Sequence, residues 1–203
     1  MWTWIFDDRP ENINTASGWT GTYGLPRSLW LGEDETLRIR PVKELEQLRL
    51  NEKTVSNLTV SPGSDVKLNE LTYDLMELEV TIVPGKANQY GLKVCMSEDG
   101  REETIIYYDQ IDNKLKVDTR KSGLEFGRKI VEEAPLELKG REPLILRIFI
   151  DKSIVEVFAN DKQAISRRIY PTLGGKGISL FSKGGDMKVK SIKIWEMMPS
   201  NAY

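Results

Sequence analysis

The chain has 203 residues, with 29 Lys and Arg against 31 Asp and Glu and a net charge of −2, so it has neither the basic excess of a nucleic-acid binder nor an acidic tail for a cationic partner. It holds no histidine, which excludes Ser-His-Asp and Cys-His nucleophilic sites, HExxH zinc sites and any His-ligated metal; its single cysteine, Cys95, excludes an internal disulfide. A chain of this length buries about 70% of its unfolded surface, enough for one large all-β core without staples.

Met1–Phe6 is apolar, but it is short, lacks a basic start and runs into Asp7-Asp8. It reads as neither a signal peptide nor a membrane helix, and no membrane partner is expected. Trp2, Trp4 and Phe6 alternate with Thr3 and Ile5, the pattern of a strand apolar on both faces. Arg9 to Gly18 reads as a polar loop. Ser28–Leu31, the turn Gly32–Glu35 and the alternating run Thr36–Arg40 follow, so residues 1–40 are predicted to be three strands of one antiparallel sheet. The period then changes. Val42, Leu45 and Leu48 lie three apart and Pro41 suits a first helical position, which predicts one short helix, the only one expected, as a connector.

Strands recur beyond it: Val55–Val60, Asp74–Val83 stopped by Pro84-Gly85, Tyr90–Met96 running into Ser97–Gly100, Thr104–Tyr108, Lys114–Val117, Ala164–Tyr170, Ile178–Phe181 and Met187–Trp195. In the last, Met187 and Val189 keep one phase while Ile192 and Ile194 keep the other, which predicts a bulge near Ser191. The centre of the pattern is Leu144–Gln163, where the runs Leu144–Ile150 and Ile154–Ala159 flank Asp151-Lys152-Ser153. The first run is apolar on both faces except at Arg147, as for a central strand in a buried hairpin. Roughly a dozen strands at near-regular spacing predict an all-β, two-sheet antiparallel β-sandwich.

Stretches distributed along nearly the whole chain carry a resemblance. They are Gly18-Trp19 with Leu25-Pro26-Arg27, Leu29 and Leu31; Pro41-Val42-Lys43-Glu44-Leu45-Glu46-Gln47-Leu48-Arg49; Tyr90-Gly91-Leu92-Lys93-Val94; Leu146 to Phe158; Ser166-Arg167-Arg168-Ile169-Tyr170-Pro171; and Lys190 to Trp195. In this order and spacing they resemble glycoside hydrolase family 32, the β-fructosidases. The resemblance implies a five-bladed propeller, a linker helix and a C-terminal concanavalin-like sandwich, of which this chain matches only the end. Residues 1–40 would be the remnant of the last propeller blade, 41–53 the linker helix and 54–203 the sandwich. The family's catalytic motifs, Trp-x-Asn-Asp-Pro-Asn-Gly, Arg-Asp-Pro and Glu-Cys, are absent. Asp8-Arg9-Pro10 has the wrong order, Val94 precedes Cys95, and Lys162 follows Asn160-Asp161. A retaining glycosidase needs two carboxyl groups about 5–5.5 Å apart. The expectation is a fragment without the catalytic propeller, inactive alone, with no cofactor.

By resemblance, Trp19 lies near the substrate cleft and is the candidate sugar contact, since aromatic faces stack on sugar rings; packing within the blade is its competing role. Asp151 is expected to close a turn, and Glu156 to point outward or pair with Arg147. Gly174-Gly175-Lys176-Gly177 lacks P-loop spacing and reads as a loop, Glu33-Asp34-Glu35 lacks an EF-hand pattern and reads as a turn, and Cys95 reads as a buried strand residue. Two functions fit: a non-catalytic module of a sucrose- or fructan-hydrolysing enzyme whose partner is the propeller, or an independent lectin-like sugar-binding module. The aromatic residues near the start, left uncovered, would also support a homodimer.

Overall fold

The computed structural model describes residues 1–68, 71–73, 75–83 and 85–200. In chain order the elements are β1 (Trp4–Ile5), α1 (Glu11–Ser17), β2 (Thr22–Tyr23), β3 (Arg27–Leu31), β4 (Leu37–Pro41), a 3-10 helix (Lys43–Leu48), β5 (Arg49–Val60), β6 (Asp65–Lys67), β7 (Leu75–Val83) and β8 (Gln89–Met96). They continue with β9 (Glu103–Asp109), β10 (Lys114–Lys121), β11 (Val131–Pro135), β12 (Leu144–Asp151), β13 (Ile154–Ala159), β14 (Gln163–Arg168), β15 (Gly177–Lys183) and β16 (Met187–Met197). Two six-stranded antiparallel sheets form the sandwich, ordered β14-β13-β12-β7-β16-β5 and β11-β10-β9-β8-β15-β6.

The period-two alternation sets the core. Leu144, Leu146, Ile148 and Ile150 of β12 and Leu78, Val80 and Ile82 of β7 point inward from the first sheet. Leu92, Ile106, Tyr108, Leu115, Ile178 and Leu180 meet them from the second. β12 lies between β13 and β7, a central strand as predicted. Its outer face is covered unevenly: Phe149 packs edge-on to Phe158 at 6.1 Å, whereas Ile145 is exposed. The register shift between Val189 and Ser191 is the bulge that the phase slip announced. Cys95 is buried, and burial pushes its thiol up to about 12.

The N-terminal region departs from expectation. It forms two separate strand pairs, β1–β2 and β3–β4, not one three-stranded sheet. The predicted loop at 9–18 contains α1, whose seven residues bury nothing, so no apolar stripe marks it. Its signal is capping chemistry: Pro10 before it, Glu11 in the first turn, and Gly18 at φ 75 donating its N–H to the carbonyls of Asn14 and Thr15. Pro41 ends β4, and the connector is a 3-10 helix, for which side chains three apart eclipse; the spacing of Val42, Leu45 and Leu48 fits that period better than 3.6. β5 begins at Arg49, so the expected boundary at residue 54 falls inside a strand. β6 and β11 had no predicted counterparts. The expected strand start at Asp74 and the stop at Pro84 lie outside the described residues.

Candidate functional site

The N-terminal region lies on the outer face of the first sheet, held by side chains that β-alternation turns away from the core. Glu156 on β13 is central. It sits opposite Ser166 of β14, and the residue is 2% exposed. One oxygen accepts the Leu25 N–H at 2.6 Å; the other accepts the Arg27 guanidinium at 2.5 Å and the Ser166 hydroxyl at 2.7 Å. Arg27 stacks over Phe158 at 5.0 Å and is itself buried. Gly24 makes the approach feasible: a Cβ there would come within 2.8 Å of a Glu156 carboxylate oxygen. Of the two expectations for Glu156, the outward direction holds, since it faces away from the core, but its partner is Arg27 and not Arg147. Arg27 reaches Glu156 from a sequence distance of 129 residues, which no local pattern reveals.

Arg147 instead serves Glu77, a fully buried carboxylate on β7. Glu77 accepts from Arg49 Nε at 2.8 Å and Nη2 at 2.7 Å, and from Arg147 Nε at 2.8 Å. Arg49 stacks 4.0 Å over Trp195, and burial opposes its charge while Glu77 restores it, so its pKa is raised. This cluster fastens the end of the 3-10 helix to the sandwich. The alternation of β7 places Glu77 on the polar side; only the fold brings the two arginines to it.

A third tie forms at Tyr170, whose hydroxyl donates to Asp7 Oδ1 at 2.9 Å and accepts the Asp8 N–H at 2.9 Å. Burial works against the Asp7 charge, but bonds from Arg9 and Tyr170 outweigh it and hold the carboxyl at about 2. β4 adds the Ile39 N–H to the Asp161 carbonyl at 2.8 Å.

Trp19 follows Gly18 at the end of α1. The residue is 47% exposed, with Arg9 4.0 Å from its ring centroid and Arg168 at 5.6 Å. The guanidinium of Arg9 occupies one stacking position on the ring. Asp151 pairs with Ile154 across the β12–β13 turn, in which Lys152 adopts φ 51. Asp34 caps the β3–β4 turn by accepting from Thr36 and Arg38. The 174–177 loop lines a groove of about 750 Å³ with Met96–Asp99, and the preceding Thr172 and Leu173 N–H groups are pinned by the buried Glu102 carboxylate. Glu156, buried with both oxygens engaged, is unavailable as an acid or nucleophile.

Fold and ties together define a two-sheet β-sandwich module carrying a firmly docked N-terminal extension. Residues 44–196 match the glycosyl hydrolases family 32 C-terminal domain, and the chain belongs to that family. It is 36% identical over 213 residues to a levanase of Bacillus subtilis, covering 97% of this chain and 31% of that protein. It is 32% identical over 199 residues to a sucrose-6-phosphate hydrolase of Zymomonas mobilis, covering 94% and 37%. Among solved structures, fructan 1-exohydrolase IIa of Cichorium intybus, complexed with 1-kestose, superposes with a TM-score of 0.88 at 21% identity, over 98% of this chain and 45% of that one. The chain thus spans less than half the length of these relatives, which carry the domain within a longer chain.

Proposed function

We propose that the chain is the non-catalytic C-terminal portion of a β-fructosidase-type enzyme whose activity on sucrose or fructans resides in a propeller domain. In this reading residues 1–40 belong to the last blade, 41–53 form the linker, whose end from Arg49 already pairs with β16, and 54–203 form a sandwich that braces the propeller and shapes the cleft edge, with Trp19 as a substrate contact there. The observation that carries it is the docking: the buried Arg27–Glu156 pair and the pairing of partly buried Arg49 with the buried Glu77 fix the extension and the linker to the sandwich as one body. Large apolar side chains stay exposed on that extension, namely Met1, Trp2, Trp4, Phe6, Tyr23, Leu31 and Leu37, each at least 49% exposed. A surface of that kind fits a covering domain.

The test is reconstitution with the propeller of a levanase relative. The chain should co-purify with it and raise the amount of soluble propeller, and Trp2→Ser with Phe6→Ser should abolish the association. Co-purification unchanged by these substitutions, or none with the unaltered chain, contradicts the reading.

A further inference from the structure

The second sheet presents its outer face on the side away from the docked extension. There β6, β15, β8, β9 and β10 line a trough of about 560 Å³, within the range of about 300–1,000 Å³ typical of small-molecule sites. One row of directly opposed residues crosses it: Asp65, Phe181, Gly91 and Tyr107. Gly91 has no side chain because its neighbours forbid one; a Cβ would lie 2.1 Å from the Ile106 carbonyl oxygen. The gap lets Phe181 and Tyr107 meet edge to face at 6.1 Å above the floor. Phe181 is buried, with Lys93 Nζ 6.0 Å and Lys183 Nζ 5.8 Å from its ring centroid, so Tyr107, half-buried, supplies the open ring. Its hydroxyl makes no hydrogen bond to another described residue.

The charges around this ring are internally compensated. Lys93 pairs with Asp65 at 2.6 Å and with Glu103 at 3.6 Å, and Arg120 pairs with Asp118 at 2.6 Å. With Lys183, the lining holds three cations against three anions. A charged ligand would have to break one of these pairs or rely on Lys183 alone, which contacts the Phe181 ring and no carboxylate among the described residues. A neutral ligand rich in hydroxyls would not: paired carboxylates keep spare lone pairs, and Gln89, which donates its amide to Asp109 at 2.7 Å, keeps its carbonyl oxygen. An aromatic face bordered by polar groups of both kinds and no net charge is suited to a sugar, whose C–H face packs on the ring while its hydroxyls bond at the rim.

We infer that this trough binds a neutral oligosaccharide, separately from any site on the extension's side. The choice of a fructan as ligand rests on the proposed function; the trough and its neutrality do not. The test titrates the full chain with 1-kestose by calorimetry and by NMR. Weak saturable binding is expected, with amide shifts centred on Gly91, Tyr107 and Phe181. Tyr107→Ala should weaken it about tenfold, and Tyr107→Phe much less. Shift mapping on the unaltered chain decides the matter even if Tyr107→Ala fails to fold. Absence of saturable binding overturns the inference, as do shifts confined to residues 1–30 or equal affinity for an acidic oligogalacturonide. A chain that associates with a propeller yet ignores 1-kestose defeats this inference alone; one that binds 1-kestose yet never associates defeats only the proposed function.

Discussion

Arg27 and Glu156 are 5% and 3% exposed at their side chains, so removing either leaves the other as an uncompensated buried charge. Arg27→Met is therefore expected to destabilise the fold by about 3–5 kcal/mol, read as a lower urea midpoint at unchanged slope. Adding Glu156→Gln should restore part of the loss; a single substitution costing under about 1 kcal/mol would place the pair in solvent. Asp7 gives a pH signature. Its folded value of about 2 lies below the ordinary 3.8, so its stabilising contribution is complete above 3.8 and is lost as pH falls toward 2. Tryptophan fluorescence should report the extension loosening in that window, and Asp7→Asn should flatten the response; an unchanged acid profile in Asp7→Asn would rule the tie out. These residues show where sequence reading stops. Glu156 stood out as a carboxylate in an apolar hairpin, but its partner lies 129 residues away, and only the packed fold supplies that coincidence. Trp19 is legible as an aromatic after a glycine; its Arg9 neighbour is not, because α1, which brings the two together, buries no residue and carries no apolar stripe.

Among the elements, β12 was plain in the sequence because its inward set, Leu144, Leu146, Ile148 and Ile150, is uninterrupted and turns bound it. Ile148 is fully buried, and Ile148→Ala should cost about 2–5 kcal/mol; under about 0.5 kcal/mol would contradict its place between the sheets. β5 was legible only in its second half. Its burial pattern is mostly exposed because it is an edge strand, so no apolar alternation marks Arg49 to Thr54. That half nevertheless pairs with β16, Leu50 opposite Glu196, and carries the Arg49–Glu77 contact. A version starting at Pro41 should therefore melt cooperatively and at a higher temperature than one starting at Thr54. Equal melting temperatures would show that the first half of β5 adds nothing.

At the scale of the molecule, the two-sheet architecture followed from strand spacing alone, while strand order and the docking of the extension required long-range contacts that no window of sequence contains. The exposed apolar surface has one further consequence. Without a covering domain, Trp2, Phe6 and Tyr23, 62–68% exposed beside the two-residue pair β1–β2, are expected to drive self-association. Light scattering should show a dimer or larger species that Trp2→Ser with Phe6→Ser reverts to monomer; a monomeric unaltered chain at about 100 μM, well above the micromolar range of moderate contacts, would refute this. The central proposal is that activity on sucrose or fructans resides in a propeller domain and not in this stretch of chain. Its most direct test is fructose release from sucrose, inulin and levan by the purified chain: none is expected, and release that scales with the chain and persists through further purification would contradict the account.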